Sequence, residues 1–280
     1  MRKSVRTLLA VLGCLAVNAF AECTPITAIP AVITAPGTYC LTGYLYTTQT
    51  SGAAIEIQAD DVTLDMTLGG LDGGGFENRD NTAAGVYALD RSNVTVVGGV
   101  INFFAYGILL ENSAPDFANT RGHRVTGVVV QVAQRVGIEV RGVNTAVTDS
   151  TVASTGWTGT YGEGSVAAIL SWGPGAVVSG NNLVSNETRG AGSSATAIQI
   201  YGSANCEASN NRIVNTSTVD PGGGASIAIL VWNSSDCTVR DNEIDNRTTF
   251  PLDIGVYMPG SDHIQAASNK MTNVKRHYAR

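Results

Sequence analysis

Two carboxylates and a guanidinium fall where acid–base chemistry could be done. Glu111, Glu139 and Arg141 each belong to a short run of alternating apolar and polar residues. A carboxyl can give or take a proton, and a guanidinium can hold a carboxylate by paired hydrogen bonds. Four aromatic residues occur in equivalent runs further along: Trp172, Tyr201, Trp232 and Tyr257. Aromatic faces stack on the apolar faces of sugar rings. The pattern therefore points to a site for a glycan, above all an acidic polysaccharide.

These residues need a frame that puts them on one surface. A small–apolar pair recurs along the chain: Ala54-Ile55, Gly85-Val86, Gly107-Ile108, Gly137-Ile138, Ala168-Ile169, Ala197-Ile198, Ala228-Ile229 and Gly255-Val256. The intervals are 31, 22, 30, 31, 29, 31 and 27 residues. Two further apolar runs follow each pair. One includes Val62-Thr63-Leu64 and Val94-Thr95-Val96. The other carries Val100, Val128, Val152, Leu183, Ile213, Ile244 and Met271. Three short strands per unit, at a variable period, predict a solenoid whose coils share one core. The expected fold is all-β: a right-handed single-stranded parallel β-helix of about eight coils.

Strand alternation then sorts the site residues. With the apolar anchor pointing in, the third residue after it points out. That row reads Gln58, Leu89, Glu111, Arg141, Trp172, Tyr201 and Trp232. The row one residue after the anchor holds Glu56, Tyr87, Leu109, Glu139, Leu170, Gln199, Leu230 and Tyr257. Segments Trp157–Ser165, Glu187–Ala195 and Thr218–Ala225 precede successive anchor strands and are expected to rim this face. The aromatics are then either open to ligand or packed beneath those loops with Leu109, Leu170 and Leu230.

Asparagines mark the corners. Asn182, Asn211, Asn242 and Asn269 precede the third strand, and Asn215, Asn246 and Asn273 follow it. Asparagine accepts left-handed backbone and bonds its neighbours, so these are read as a structural ladder. Asp60, Asp61, Asp65 and Asp72 could offer oxygens to Ca²⁺, but turn roles in the first coil suit them better. His123, in Arg121-Gly122-His123-Arg124, reads as a solvated loop residue with proton donation as the sharper alternative. His263 and His277 lack metal-type spacing.

The ends read differently from the middle. Arg2, Lys3 and Arg6, the apolar run Leu8–Val17 and Ala19-Phe20-Ala21 predict a signal peptide over 1–21. A lipoprotein reading at Cys14 is weaker, because apolar residues continue past it. Residues 22–50 are expected as an N-terminal cap and 51–280 as the β-helix. No other segment is apolar enough for a transmembrane span. Export to the periplasm or beyond makes disulfides possible, and four cysteines remain: Cys23, Cys40, Cys206 and Cys237. Cys23 and Cys40 are close enough in the cap to pair. Cys206 and Cys237 occupy equivalent positions, open either to a cross-coil bridge or to two stacked thiols. The net charge is −6 and only Lys270 and Lys275 follow the signal segment, so nucleic acid is not an expected partner.

The Ile-x-Val strands, the Asn-x-Ile corners and the opening Val32-Ile33-Thr34-Ala35-Pro36-Gly37-Thr38-Tyr39-Cys40-Leu41 resemble the pectate-lyase-like superfamily of right-handed parallel β-helices. Val62-Thr63-Leu64-Asp65 followed by Gly69-Gly70-Leu71-Asp72-Gly73 adds to the likeness. The resemblance spans nearly all of the chain after residue 21. It implies architecture more than activity, since members include lyases, hydrolases, epimerases, esterases and non-catalytic proteins. The closely spaced aspartates of the hydrolase branch and the Asp-Pro-His-Asp motif of alginate epimerases are absent. Three readings remain in view. One is a lyase acting on an acidic polysaccharide, with Arg141 as base or uronate partner and Glu139 or Glu111 as acid or cation ligand. Another is a non-catalytic solenoid that binds glycan or protein. The last is a purely structural exported repeat with Trp172 and Trp232 buried.

Overall fold

The structure is a computed structural model that describes residues 23–74, 81–117, 119–156, 165–188, 192–218, 224–249 and 252–280. The expected signal segment lies outside the described residues. Every element among the described residues is a strand, and all pairings between strands are parallel. No helix there is long and apolar enough to cross a membrane.

The chain winds through three parallel sheets of ten, nine and ten strands. The eight anchor strands are β5 (Ala53–Ile57), β8 (Ala84–Leu89), β11 (Tyr106–Glu111), β14 (Val136–Arg141), β17 (Val166–Trp172), β20 (Ala195–Tyr201), β23 (Ser226–Trp232) and β26 (Leu252–Tyr257). They form the middle of one ten-stranded sheet. Its outer members are β2 (Ala31–Ile33) and β29 (Val274–Ala279). The repeat thus runs one strand further at each end than the eight anchor motifs suggest. The segment read as a cap supplies β1 (Thr24–Ile26), β2, β3 (Gly37–Leu41) and β4 (Tyr44–Tyr46), which join the three sheets as parallel strands.

The anchor register follows the sequence motif. Ile55, Val86, Ile108, Ile138, Ile169, Ile198, Ile229 and Val256 pair in succession and are all fully buried. The small residue before each anchor has a steric cause. A Cβ on Gly107 would stand 2.5 Å from the Gly137 carbonyl and 2.6 Å from Val130 Cγ1. The second-run row stacks Leu64, Val96, Val125, Val147 and Val178. The third row differs from the expectation in two places. Ile101 and Val130 hold the inward strand positions; Val100 is only partly buried, and Val128 is buried at the corner just before its strand. Gly98 and Gly99 (φ 61° and 77°) and Gly127 (φ 65°) turn the chain just before these strands and shift their phase.

The asparagine ladder is present with one substitution of membership. Asn181, not Asn182, is its member. The side-chain amides of Asn181, Asn211 and Asn242 donate to the Oδ1 of Asn211, Asn242 and Asn269 at 3.0, 2.9 and 2.8 Å. The same three amides also donate to the Val147, Val178 and Ala208 carbonyls. Left-handed Asn210 and Asp241 (φ 55° and 56°) turn the next side chain inward, so the ladder residue lies two before the third-strand anchor. Val128 and Ser150 continue the row upstream: the Val128 amide donates to Ser150 Oγ and the Ser150 amide to Asn181 Oδ1.

Both disulfides are present. Cys23–Cys40 ties the start of the chain to β3, and Cys206–Cys237 bridges adjacent coils with a Cα separation of 4.4 Å. Stacked strands place equivalent residues roughly 4.8 Å apart, within reach of a disulfide.

Candidate functional site

Register puts six of the outward residues in one line. Leu89 pairs with Glu111, Arg141 with Trp172, Trp172 with Tyr201, and Tyr201 with Trp232. From Glu111 onward the side chains touch along the line. Arg141 Nη2 lies 3.7 Å from Glu111 Oε1, and Arg141 Nε donates to Glu139 Oε1 at 2.6 Å. The Arg141 guanidinium carbon sits 5.1 Å from the Trp172 ring centroid. The Trp172 and Tyr201 rings follow at 4.2 Å, tilted by 40°, and Tyr201 and Trp232 at 5.5 Å, edge to face. Strand spacing near 4.8 Å imposes this: rings on adjacent strands must stack on one another.

Exposure grades along the line. Trp172 and Tyr201 are half-buried, and Trp232 is 43% exposed. The polar end is more enclosed than its outward orientation suggests. Glu139 is only 3% exposed, although strand alternation places it on the outer surface. It lies between Leu109 and Leu170 on adjacent strands, with Arg141 bonded across it. Burial pushes the Glu139 carboxyl up, while the Arg141 charge opposes that shift. Burial also raises the Tyr87 hydroxyl, with Glu111 adding to it.

Tyr257 does not join the line. It pairs with Leu230 and packs against a separate buried cluster of Ile227, Leu230 and Ile254. Of the three leucines expected under the aromatics, only Leu230 is in that cluster.

Residues 157–164, 189–191 and 219–223 of the three long loops lie outside the described residues, but the loop roots are placed. Ser165, Ser194 and Ala225 lead directly into the first residues of β17, β20 and β23, whereas the aromatics end those strands. Six residues of strand separate them, roughly 20 Å. The segment after Glu111 also borders the site. A Cβ on Gly173, the residue after Trp172, would stand 3.2 Å from Phe117 Cγ. Phe117 is left-handed (φ 58°), and nothing in its local sequence announces this contact.

His123 departs most from its reading. It is fully buried, and its Nδ1 accepts the Val94 N–H at 3.3 Å. The residue after it, Arg124, pairs with Thr95 and Ala146, so His123 stacks between Val94 and Thr145 in an inward corner row. Burial lowers its pKa to about 4. It is a core residue rather than a solvated one.

The first-coil acids have turn roles. Asp60 accepts from the Ser92 amide, Asp61 from the Asn93 side chain, Asp65 from the Thr67 amide and Asp72 from the Gly74 amide. Among the described residues, no three His, Cys, Asp or Glu side chains converge as a metal site.

Comparison with known proteins agrees with the coil geometry. No curated protein matches the sequence. The enzymatically active domain of tailspike protein 2 from bacteriophage CBA120 superposes with a TM-score of 0.52 at 14% identity. The match covers 90% of this chain and 38% of that one, so this chain spans well under half of the tailspike domain. The A-module of the mannuronan C-5 epimerase AlgE4 from Azotobacter vinelandii gives a TM-score of 0.40 at 13% identity, over 86% of this chain and 80% of that one. The family model described as a right-handed β-helix region matches residues 119–278, more than half of the sequence. With three parallel sheets wound by one chain, this chain belongs to the right-handed β-helix family.

Proposed function

We propose that this chain is an exported glycan-binding β-helix whose site is the face carrying Glu111, Arg141, Trp172, Tyr201 and Trp232. The observation that supports the reading is the unbroken stack from the Arg141 guanidinium through three aromatic rings, ending in the exposed Trp232. A sugar ring stacks on Trp232, and the charged end of the line meets polar or anionic groups further along the chain. The two disulfides suit an oxidising compartment. The test is titration of the purified protein against a panel of acidic and neutral glycans, scored for binding and for cleavage. Saturable binding is expected. Loss of one stacked ring, in Trp232→Ala, should weaken it about tenfold. Wild-type affinity in that variant would remove the site.

A second reading is a polysaccharide lyase, favoured by the raised carboxyl of Glu139 beside Arg141. In β-elimination a base removes the proton next to the uronate carboxyl while an acid protonates the departing glycosidic oxygen. Glu139 fits the acid. Arg141, bonded to Glu139, then takes the proton next to the uronate carboxyl, and Glu139 gives its own proton to the departing oxygen. Arg141→Ala should then abolish the ultraviolet absorbance of unsaturated sugar ends. Persisting absorbance would take Arg141 out of the reaction.

A further inference from the structure

One interior row changes character partway along the solenoid. At the corner after the third strand, five successive coils pass through a left-handed residue that turns the next side chain inward. Phe103 (φ 61°), Val132 (φ 54°), Ser154 (φ 59°), Ser185 (φ 55°) and Asn215 (φ 58°) are those residues. The side chains that follow are Phe104, Ala133, Thr155, Asn186 and Thr216, none more than 1% exposed. The first two fill their space with hydrocarbon. The last three bring polar atoms into the same enclosed position.

Among the described residues those polar atoms have no partner. Thr155 Oγ1, both Oδ1 and Nδ2 of Asn186, and Thr216 Oγ1 are buried without a hydrogen bond. So is Thr188 Oγ1, two residues beyond Asn186 and on the same face of β19 (Asn182–Thr188). Asn186 pairs in register with Thr216 on β22 (Arg212–Thr218). The nearby ladder from Asn181 to Asn269 has the same coil spacing, yet there each amide bonds the next directly. The two rows face the same geometric problem, and only one solves it with protein atoms. Buried polar groups are seldom left unbonded, because stripping their water without replacement is costly.

We propose that this row binds a file of internal water molecules, bridging Thr155 to Asn186 and Asn186 to Thr216. The spacing suits them. Stacked side chains stand roughly 4.8 Å apart, and a water bonded at about 2.8 Å to each of two groups spans that gap. Each water meets the hydroxyl or amide atoms of two coils, and Thr188 adds a further partner. The file stops where Ala133 and Phe104 take over the row, since hydrocarbon offers no bonds.

Oxygen-17 relaxation dispersion of the intact protein reads long-lived internal waters in solution. The wild type should show them, and the variant Thr155→Val, Asn186→Leu, Thr216→Val should lose those of this row. The single Thr216→Val exchange, nearly isosteric, should lose part of the signal and keeps the test available should the triple variant not fold. An unchanged signal in Thr216→Val would overturn the proposal. So would a high-resolution crystal structure in which the Asn186 amide bonds directly to protein groups.

Discussion

Arg141 and Trp172 are register partners on β14 and β17, and the guanidinium carbon rests 5.1 Å from the indole centroid. The contact joins what look like two separate features, a charged trio and an aromatic trio, into one line. The charge on Arg141 is shared between Glu139, Glu111 and the Trp172 ring. Disturbing either half should be felt in the other.

Trp232 and Trp172 should separate binding from stability. Trp232 is the exposed end of the stack, so Trp232→Ala should weaken glycan affinity while shifting unfolding by less than about 1 kcal/mol. Trp172→Ala removes contacts with both Arg141 and Tyr201 and should cost about 2–3 kcal/mol as well as affinity. Denaturant titration beside glycan titration checks both. Equal stability losses in the two variants would contradict the graded exposure.

Glu139 and Arg141 should respond asymmetrically to substitution. Arg141→Met leaves a buried carboxyl without its partner and should destabilise by about 2–3 kcal/mol at neutral pH. Glu139→Gln removes the buried charge itself and should cost under about 1 kcal/mol. The pH dependence has a definite sign. The Glu139 carboxyl is raised in the folded state, so its contribution is fully present below the unfolded value and lost as pH rises through the folded one. Glu139→Gln should remove that decline from urea midpoints measured across the range.

His123 should make the protein acid-sensitive. Its folded pKa is about 4 against 6.5 for the free group. The stability it contributes is therefore present above the unfolded value and lost as pH falls through 6.5 toward 4. The full span corresponds to about 3 kcal/mol. In His123→Asn, the slope of unfolding free energy over that window should flatten. A slope equal to wild type would mean that His123 titrates normally.

Asn181 and Asn182 offer a test of corner geometry with neighbouring residues. Asn181→Ala breaks the bonds to Asn211 and the Val147 carbonyl and leaves the Ser150 amide without its acceptor, at about 2–3 kcal/mol. Asn182 accepts from Arg212, on the outside, so Asn182→Ala should change thermal unfolding little. The reverse order would put the ladder on the wrong residue.

The Cys206–Cys237 bridge closes a 31-residue separation between stacked coils. Replacing both cysteines by alanine should lower stability by about 2–4 kcal/mol. Because both are nearly fully buried, mild reductant should leave the folded protein's bridge intact. Thiol labelling with and without denaturant measures this.

The sequence by itself determined the coils. A recurring small–apolar pair sets the register of eight strands, because Ile55 through Val256 can only be buried together by stacking, and the small partner is needed where backbones approach. From that register follow the line of Glu111, Arg141, Trp172, Tyr201 and Trp232 and the reach between Cys206 and Cys237. Tertiary structure alone decided how deep each outward residue sits. Outward orientation is a two-residue alternation, but exposure depends on neighbours far away in sequence: Arg141 and the flanking leucines enclose Glu139, and the Leu230 cluster draws in Tyr257. The corners escaped the pattern for a related reason. A single left-handed residue flips the side-chain phase, so Asn181 rather than Asn182 enters the ladder, and His123 turns into the core instead of toward water.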